Sequence, residues 1–233
     1  MFPEPRSLQL RVGGVIDRTP RMREISLTSP DLAAFSWLPG QDVSLGFRTD
    51  AGVVRRRYSI RRLDPGSLSL DIDVLMHGDG PGMRWAKQAQ PGTAIDAIGP
   101  RGKITLVPVA ERHLFAGDAT AVPAALAMME ALTDSDRALG FFLVDDPAEQ
   151  QAAPPAGRIE WRYGEDDLER ALLQADLPRH SRHAYLAGEV ALVTRLKADL
   201  LAKGWKAEDV SAKAYWNQGK ANGGNGEPEK RAP

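Results

Sequence analysis

The chain has 233 residues, of which 42% are hydrophobic and none is cysteine, and this length suits two small domains. The lack of cysteine excludes disulfides, thiolate zinc sites, iron–sulfur clusters and redox dithiols, so any electron carrier must be a non-thiol cofactor. The formal net charge is -1, from 30 basic and 31 acidic residues, which excludes a global field that would attract nucleic acid or an anionic membrane.

The first part of the chain, up to about Leu106, reads as short strands separated by Pro-Gly and Asp-Pro-Gly turns. The strands are predicted at residues 8–16, 23–28, 42–47, 57–61, 67–76 and 93–98, with one helix-like insert at 83–89. Six strands at this spacing indicate an antiparallel barrel or sandwich.

After Pro108 the pattern changes to alternating strands and helices, which is typical of a parallel sheet with crossover helices. Strands are predicted at 113–116, 139–144, 158–161, 183–186 and 210–214, and helices at 122–132, 166–173 and 190–202. The alanine- and proline-rich segment 147–157 predicts a mobile loop, and the polar, glycine-rich residues 220–233 predict a disordered tail. We therefore expect one domain over 1–108 and a second over 109–219.

The fourth predicted strand carries the run Arg56-Arg57-Tyr58-Ser59. With period-2 alternation, Tyr58 and Arg56 share one face, and Arg57 and Ser59 share the other. An aromatic ring beside basic and hydroxyl groups suits a bound dinucleotide, in particular a flavin. The alternative is an exposed basic strand whose tyrosine packs on a neighbour.

The glycine-rich turn His77-Gly78-Asp79-Gly80-Pro81-Gly82-Met83-Arg84-Trp85-Ala86 lies between a predicted strand and the predicted helix. Bare backbone amides at a helix N-terminus favour a diphosphate. The alternative is an ordinary turn in which Trp85 anchors the core. In the later turn Gly99-Pro100-Arg101-Gly102, Arg101 could meet an anion or simply be solvated.

In the second domain, Gly117-Asp118-Ala119-Thr120 and Ala187-Gly188-Glu189 each follow a predicted strand and precede a helix. This is where a parallel sheet places nucleotide phosphates, so the two turns could flank one nicotinamide cofactor. The alternative is helix capping by Asp118 and Glu189. Asp145-Asp146 ends the next strand, where an acid favours a ribose hydroxyl over a 2′-phosphate, and this favours NADH.

Taken in order, these segments resemble the siderophore-interacting protein family, flavin-dependent ferric-siderophore reductases related to ferredoxin-NADP reductases. The match also includes Thr19-Pro20-Arg21-Met22-Arg23, Thr120-Ala121-Val122-Pro123-Ala124 and Tyr215-Trp216, and spans roughly Leu8 to Gly219. The resemblance implies a six-stranded antiparallel flavin-binding β-barrel followed by a Rossmann-like α/β nicotinamide-nucleotide domain. It implies that FAD and NADPH or NADH are bound by Arg56, Arg57, Tyr58, Ser59, Val74, Met76, His77, Gly80, Pro81, Gly82, Met83, Trp85, Asp118, Thr120, Ala121, Gly188, Glu189, Tyr215 and Trp216.

The implied reaction is the reduction of a ferric siderophore, in which the cofactor carries the chemistry and no side chain acts as acid or base. Two departures from the family pattern are Met83, where a small hydroxyl residue is usual, and Ala119, where an acid is common. They keep open a non-catalytic flavin or siderophore carrier, and a reductase serving a protein partner is a further alternative. Arg55, Arg61, Arg101 and Lys220 are candidates for steering an anionic chelate. We expect a cytoplasmic monomer without a metal site or a membrane span.

Overall fold

The computed structural model describes residues 2–133, 137–176 and 181–219, and begins with a closed antiparallel barrel. The predicted disordered tail 220–233, including Lys220, lies outside these residues. The barrel strands are β1 (Arg6–Asp17), β2 (Met22–Thr28), β3 (Asp42–Thr49), β4 (Gly52–Asp64), β5 (Ser69–Leu75) and β6 (Ala94–Arg101), paired in the order β1-β2-β5-β4-β3-β6. The structure confirms the antiparallel first half and closes it as a barrel, which resolves the choice between barrel and sandwich.

One helix, α1 (Pro81–Gln88), connects β5 to β6 and packs against β3. It begins two residues before the predicted helix, because Gly80 is the N-cap and Pro81 takes the first helical position, where its missing amide costs nothing. The barrel interior is filled by alternating apolar residues of all six strands, among them Ile25, Leu45 and Ile60.

A five-stranded parallel sheet of order β11-β10-β7-β8-β9 forms the second half. Its elements are β7 (Arg112–Asp118), α2 (Val122–Glu130), β8 (Ala138–Leu143), β9 (Gly157–Arg162), α3 (Glu165–Gln174), β10 (Arg182–Glu189), α4 (Val190–Ala202) and β11 (Val210–Trp216). The strand order reverses between β7 and β10, and in such sheets ligands bind in the crevice beyond the carboxyl ends at that point. The predicted parallel sheet is confirmed.

Helix α2 lies between the sheet and the barrel strand β4. Every residue from Val122 to Met129 is buried, as expected for a helix that is apolar on all sides. The exception is Glu130 at its end, whose carboxylate accepts from Arg61 of β4 at 2.5 and 2.6 Å. The last barrel strand ends at Arg101 and the first strand of the sheet begins at Arg112. We propose that the domain boundary lies in this connection, near Pro108.

The segment 147–157, for which we predict a mobile loop, contains some regular structure, and its mobility stays a prediction. It opens with a short 3-10 helix, Pro147–Glu149, capped by Asp146, and Glu149 is buried. The Glu149 carboxylate accepts from the Thr19 hydroxyl at 2.5 Å and from the Arg21 amide at 3.3 Å. A barrel hairpin thus anchors the start of this loop. Among the described helices, none is long and apolar enough to cross a membrane.

Candidate functional site

Tyr58 forms one wall of the candidate flavin site. Its ring meets Phe47 edge to face at 6.4 Å, and burial raises its pKa to about 12 against the opposing charge of Arg56. A Cβ at Gly82 of α1 would lie under 3.0 Å from the Tyr58 hydroxyl and 3.4 Å from the Phe47 ring. The glycine therefore allows the helix to approach the tyrosine closely, and Tyr58 stays neutral at physiological pH.

Arg57 and Ser59 point to the other side of β4, as the period-2 alternation predicts, and meet β11. The Arg57 guanidinium donates to both oxygens of buried Asp42 at 2.7 and 2.8 Å. Lys213 of β11 donates to the same carboxylate at 3.0 Å. The Ser59 hydroxyl hydrogen-bonds to Tyr215, whose pKa burial raises to about 12. A phosphate contact by Arg57 stays a prediction, since its guanidinium already has a partner.

The N-terminus of α1 has no side-chain cap. Its N-cap, Gly80, makes no side-chain capping bond, Pro81 has no amide, and Gly82 and Met83 are buried. Nothing lies within 4 Å of a Cβ built at Gly78 or Gly80. This open, uncapped turn beside Tyr58 fits the diphosphate of a dinucleotide. Met83 is buried and brings no polar group to the turn.

Three further residues that the resemblance assigns to the cofactors lie at the end of β5. Val74 is buried in the barrel core, and Met76 donates its amide to the Arg21 carbonyl at 2.6 Å. His77 lies with its ring centroid 6.0 Å from that of Trp216. Burial and then the Arg21 cation lower the pKa of His77, and the charge of Asp118 opposes them. Residues of both halves of the protein therefore meet at His77.

The carboxyl ends of β7 and β10 meet at Asp118. Its Oδ1 accepts from the amide of Thr120 at 2.8 Å, and its Oδ2 accepts from the amide of Glu189 at 2.7 Å and from Nε1 of Trp216 at 2.9 Å. Gly188 has φ of +133°, and a Cβ there would overlap Asp118. The predicted pair of turns is thus brought together at the point where the strand order reverses.

Glu189 and Ala121 complete the predicted set at this edge. Burial opposes ionisation of Glu189, but hydrogen bonds from the amides of Leu192, Gln218 and Ala191 lower its pKa. It is the N-cap of α4, and Asp118 is the N-cap of the 3-10 turn Ala119–Ala121. Capping is therefore one function of both acids, and nucleotide binding by this edge stays a prediction.

Asp145 and Asp146, on which the prediction of NADH rests, are engaged within the protein. The Asp145 carboxylate is paired with Arg21 of the barrel, and the Asp146 carboxylate accepts from the Ala148 amide at 2.8 Å. The motif Thr19–Arg23 includes Arg21 without predicting its role, and no local pattern marks Asp42, because each of the two residues meets a partner more than ten positions away.

The steering candidates lie in different environments. Arg61 is held by Glu130 and by Asp73 at 3.7 Å, and its side chain is only 10% exposed, so it is not a free surface cation. Arg55 donates to the Ser44 carbonyl at 3.3 Å. Arg101 ends β6 opposite Asp42 of β3.

Two sequence models of known families match this chain. Residues 47–104 match the siderophore-interacting FAD-binding domain, which includes Tyr58 and α1. Residues 110–219 match the siderophore-interacting protein family and include Asp118 and Trp216.

Individual relatives agree with these matches. The chain is 34% identical over 178 residues to ferric vibriobactin reductase ViuB of Vibrio cholerae, covering 72% of this chain and 66% of the relative. It is 29% identical to the NADPH-dependent ferric-chelate reductase of Escherichia coli, covering 64% and 61%. It thus spans somewhat less than two thirds of each. The crystal structure of a siderophore utilization protein from T. fusca superposes with a TM-score of 0.84 at 30% identity, covering 94% of this chain and 96% of that one.

Proposed function

The chain belongs to the siderophore-interacting protein family, and we propose from this membership that it is an NAD(P)H-dependent flavoprotein reductase of ferric siderophores. Its FAD-binding domain and its reductase relatives support an oxidoreductase that uses FAD. The substrate would be iron(III) held by a siderophore, and the product iron(II), which binds hard oxygen ligands more weakly and is released.

One observation carries the proposal: the barrel turn that leads from β5 into α1 meets the nucleotide edge of the sheet, and we call this contact of His77, Trp216 and Asp118 the seam. The Trp216 ring lies beside His77 of the barrel, while its Nε1 donates to Asp118 at the end of β7. A reductase of this kind needs its two cofactors adjacent, and this contact joins a barrel turn to the point where the strand order of the sheet reverses. The seam is where we expect the nicotinamide.

The residues at the seam would hold the cofactors. The uncapped first turn of α1 would bind the FAD diphosphate through its amides, and neutral Tyr58 would offer an apolar face to the ring. When bound, FAD supplies the conversion of a two-electron hydride donation into single-electron transfers to iron. The chain itself would bind, orient and shield these partners.

Charge at the β4–β11 contact supports an anionic ligand nearby. Arg57 and Lys213 share the single carboxylate of Asp42, so this group carries one positive charge in excess. Fixed charge of this sign, partly shielded from water, stabilises negative charge on a neighbouring cofactor.

The test is an anaerobic visible spectrum of protein reconstituted with FAD, recorded before and after NADH or NADPH and then after a ferric siderophore. We expect one nucleotide to bleach the flavin bands, and the chelate to restore them while a dye captures two iron(II) per nucleotide. Bands that neither nucleotide alters would refute the proposal in favour of a carrier. Reoxidation by a redox protein but by no ferric chelate would indicate the protein-partner reductase.

A further inference from the structure

The tip of the β1–β2 hairpin, residues 18–21, carries a cation of the barrel to the end of a strand in the other half. The Arg21 guanidinium contacts the carboxylate of Asp145, two residues beyond the end of β8. The Arg21 side chain is 40% exposed and that of Asp145 is 73% exposed. A ligand in solution can therefore reach both members of this ion pair.

The backbone of Arg21 is held in place without help from its guanidinium. Its amide donates to buried Glu149 at 3.3 Å, and its carbonyl accepts from the Met76 amide at 2.6 Å. The Thr19 hydroxyl donates to the same Glu149 carboxylate at 2.5 Å. An ion pair between exposed groups adds little stability, so the guanidinium can change its partner while the hairpin stays attached.

Asp145 lies on the edge of the sheet that the two predicted nucleotide turns share. Strands β7 and β8 are parallel neighbours, with Asp118 opposite Leu143. In dinucleotide-binding sheets, an acid after the first nucleotide turn binds the 2′-hydroxyl of the adenosine ribose, and a nearby arginine accommodates a 2′-phosphate instead. Both kinds of residue meet here, and each comes from a different half of the protein.

The charges at this contact favour a phosphate over a ribose hydroxyl. The Asp145 carboxylate is already paired, and the Asp146 carboxylate accepts from the Ala148 amide at 2.8 Å. A phosphate monoester carries about -1.5 to -2 charges at pH 7 and offers three acceptor oxygens. It can therefore compete with a single exposed carboxylate for a guanidinium, whose planar donors match it in a bidentate manner.

The neighbouring strand β9 ends in another cation, Arg162, which is more firmly engaged. Its guanidinium contacts Glu160, lies 3.6 Å from Asp167 and donates to the Trp161 carbonyl at 3.2 Å. The Arg162 side chain is also less exposed, at 25%. Arg21 is therefore the cation that a ligand at this edge can recruit more readily.

We propose that Arg21 determines the choice of nucleotide: its guanidinium leaves Asp145 and binds the 2′-phosphate of NADPH, so that NADPH is preferred to NADH. This inference deepens the proposed function and rests on it, because it takes a nicotinamide nucleotide as the ligand of this edge. It reverses the preference for NADH that Asp145-Asp146 predicts, since an acid neutralised by an arginine no longer selects a ribose hydroxyl.

The test compares two ligands that differ only in the 2′-phosphate, adenosine 2′,5′-bisphosphate and adenosine 5′-monophosphate. Their Kd values for the full chain are measured by calorimetry at about pH 8, where the phosphate is fully ionised. We expect wild type to bind the bisphosphate about tenfold or more tightly than the monophosphate, as for a hydrogen bond between charged groups. Equal Kd values, or binding of neither ligand, would overturn the proposal.

Two variants test the exchange of partners. Arg21→Gln removes the guanidinium but keeps the backbone bonds to Glu149 and Met76, so we expect weaker binding of the bisphosphate and an unchanged Kd for the monophosphate. Asp145→Asn removes the competing carboxylate and should tighten binding of the bisphosphate. Weaker binding of the bisphosphate in Asp145→Asn would contradict the competition and overturn the proposal.

A purely structural role of Arg21 gives a different result. Arg21→Gln would then change both Kd values by the same factor, or neither, and either result would overturn the proposal. The matched control is Arg11→Gln, an exposed arginine far from the tip on the same hairpin, whose Nη1 donates to the Gly92 carbonyl at 3.2 Å. It removes the same charge and should leave the ratio of the two Kd values unchanged. If Arg21→Gln does not fold, Asp145→Asn and the wild-type ratio decide.

The design separates this inference from the proposed function. Calorimetry with these ligands involves neither flavin nor electron transfer, so a clear preference for the bisphosphate in a protein whose FAD no nucleotide reduces would refute the reductase and leave the role of Arg21 standing. Reduction of the flavin with the same Kd for NADH and NADPH, in wild type and in Arg21→Gln, would support the reductase and overturn the role of Arg21.

Discussion

Replacing Asp73 by asparagine should stabilise the protein, although Asp73 lies beside an arginine. Asp73 is on β5, its side chain is only 2% exposed, and its Oδ1 has no hydrogen-bond partner among the described residues. Arg61 of β4 is 3.7 Å from Oδ2, but that guanidinium makes its shorter contacts with Glu130. The Asp73 carboxylate is thus buried without full compensation.

The expected gain follows from the pKa. Burial raises the pKa of Asp73 to about 6, against an ordinary value of 3.8, despite the attraction of Arg61. A difference of this size corresponds to at most about 3 kcal/mol that the ionised carboxylate costs the native state. The pKa already includes the attraction of Arg61, so uncharged asparagine should recover this cost, less what its amide NH2 loses beside the Arg61 guanidinium, and we expect the free energy of unfolding to rise by about 1–2 kcal/mol at about pH 8.

The pH dependence makes the prediction specific. The cost is complete above the folded pKa of about 6 and disappears as the pH falls below 3.8, because Asp73 is then protonated in both states. The advantage of Asp73→Asn should therefore vanish near pH 4. Other groups titrate equally in both proteins and cancel in the difference.

The assay is urea unfolding of wild type and Asp73→Asn at both pH values, with Asp79→Asn as the control. Asp79 is exposed and its pKa is lowered by its hydrogen bond to Lys87, so its replacement should bring no gain at either pH. A variant less stable than wild type at about pH 8 would show that attraction to Arg61 outweighs desolvation, which would refute the reasoning.

Three other changes test the site and the sheet. Gly82→Ala puts a methyl group under 3.0 Å from the Tyr58 hydroxyl, so we expect about tenfold weaker FAD binding in a fluorescence titration. The free energy of unfolding should change by less than about 1 kcal/mol, because alanine favours the helix. The control is Gly80→Ala, where space is open, which should bind FAD more tightly than Gly82→Ala. Asp118→Asn leaves an amide facing the Glu189 and Trp216 donors and should cost about 2–4 kcal/mol in urea unfolding; a loss below about 1 kcal/mol would contradict this. Burial lowers the pKa of His113 to about 4. The unfolded state therefore binds the proton first, and the free energy of unfolding should fall as the pH drops from 6.5 towards 4. In His113→Phe the free energy of unfolding should depend less steeply on pH over the same range.

Local sequence patterns predict most of the fold. Pro-Gly and Asp-Pro-Gly turns separate the barrel strands, and the change to strand–helix alternation after Pro108 predicts the parallel sheet. Strand β4 is longer than expected, because valine and arginine before Arg57 continue its pairing with β3 down to Gly52. Charged side chains on a paired strand hide its true start from a hydrophobicity pattern.

Long-range polar pairs could not be predicted. Nothing in the segment 147–157 marks Glu149 as the buried acceptor of Thr19, and Arg61 looks like a surface cation until α2 is placed against β4. In both cases the partner lies more than sixty residues away, so burial of the charge depends on how the two halves dock. The type of a charged residue predicts the chemistry it can carry out, but the packing of the two halves decides whether its side chain is accessible to a ligand.

Strand β11 links the barrel residues beside the candidate flavin site to the nucleotide edge of the sheet. Lys213 donates to Asp42 of the barrel, Tyr215 hydrogen-bonds to Ser59 of β4, and Trp216 donates to Asp118 at the nucleotide edge. Residues two apart on a strand share a face, so Lys213 and Tyr215 both face the barrel, whereas Trp216 turns to the sheet crevice. A shift of β11 would therefore move the surroundings of both cofactors together. We infer that the relative placement of flavin and nicotinamide depends on this last strand.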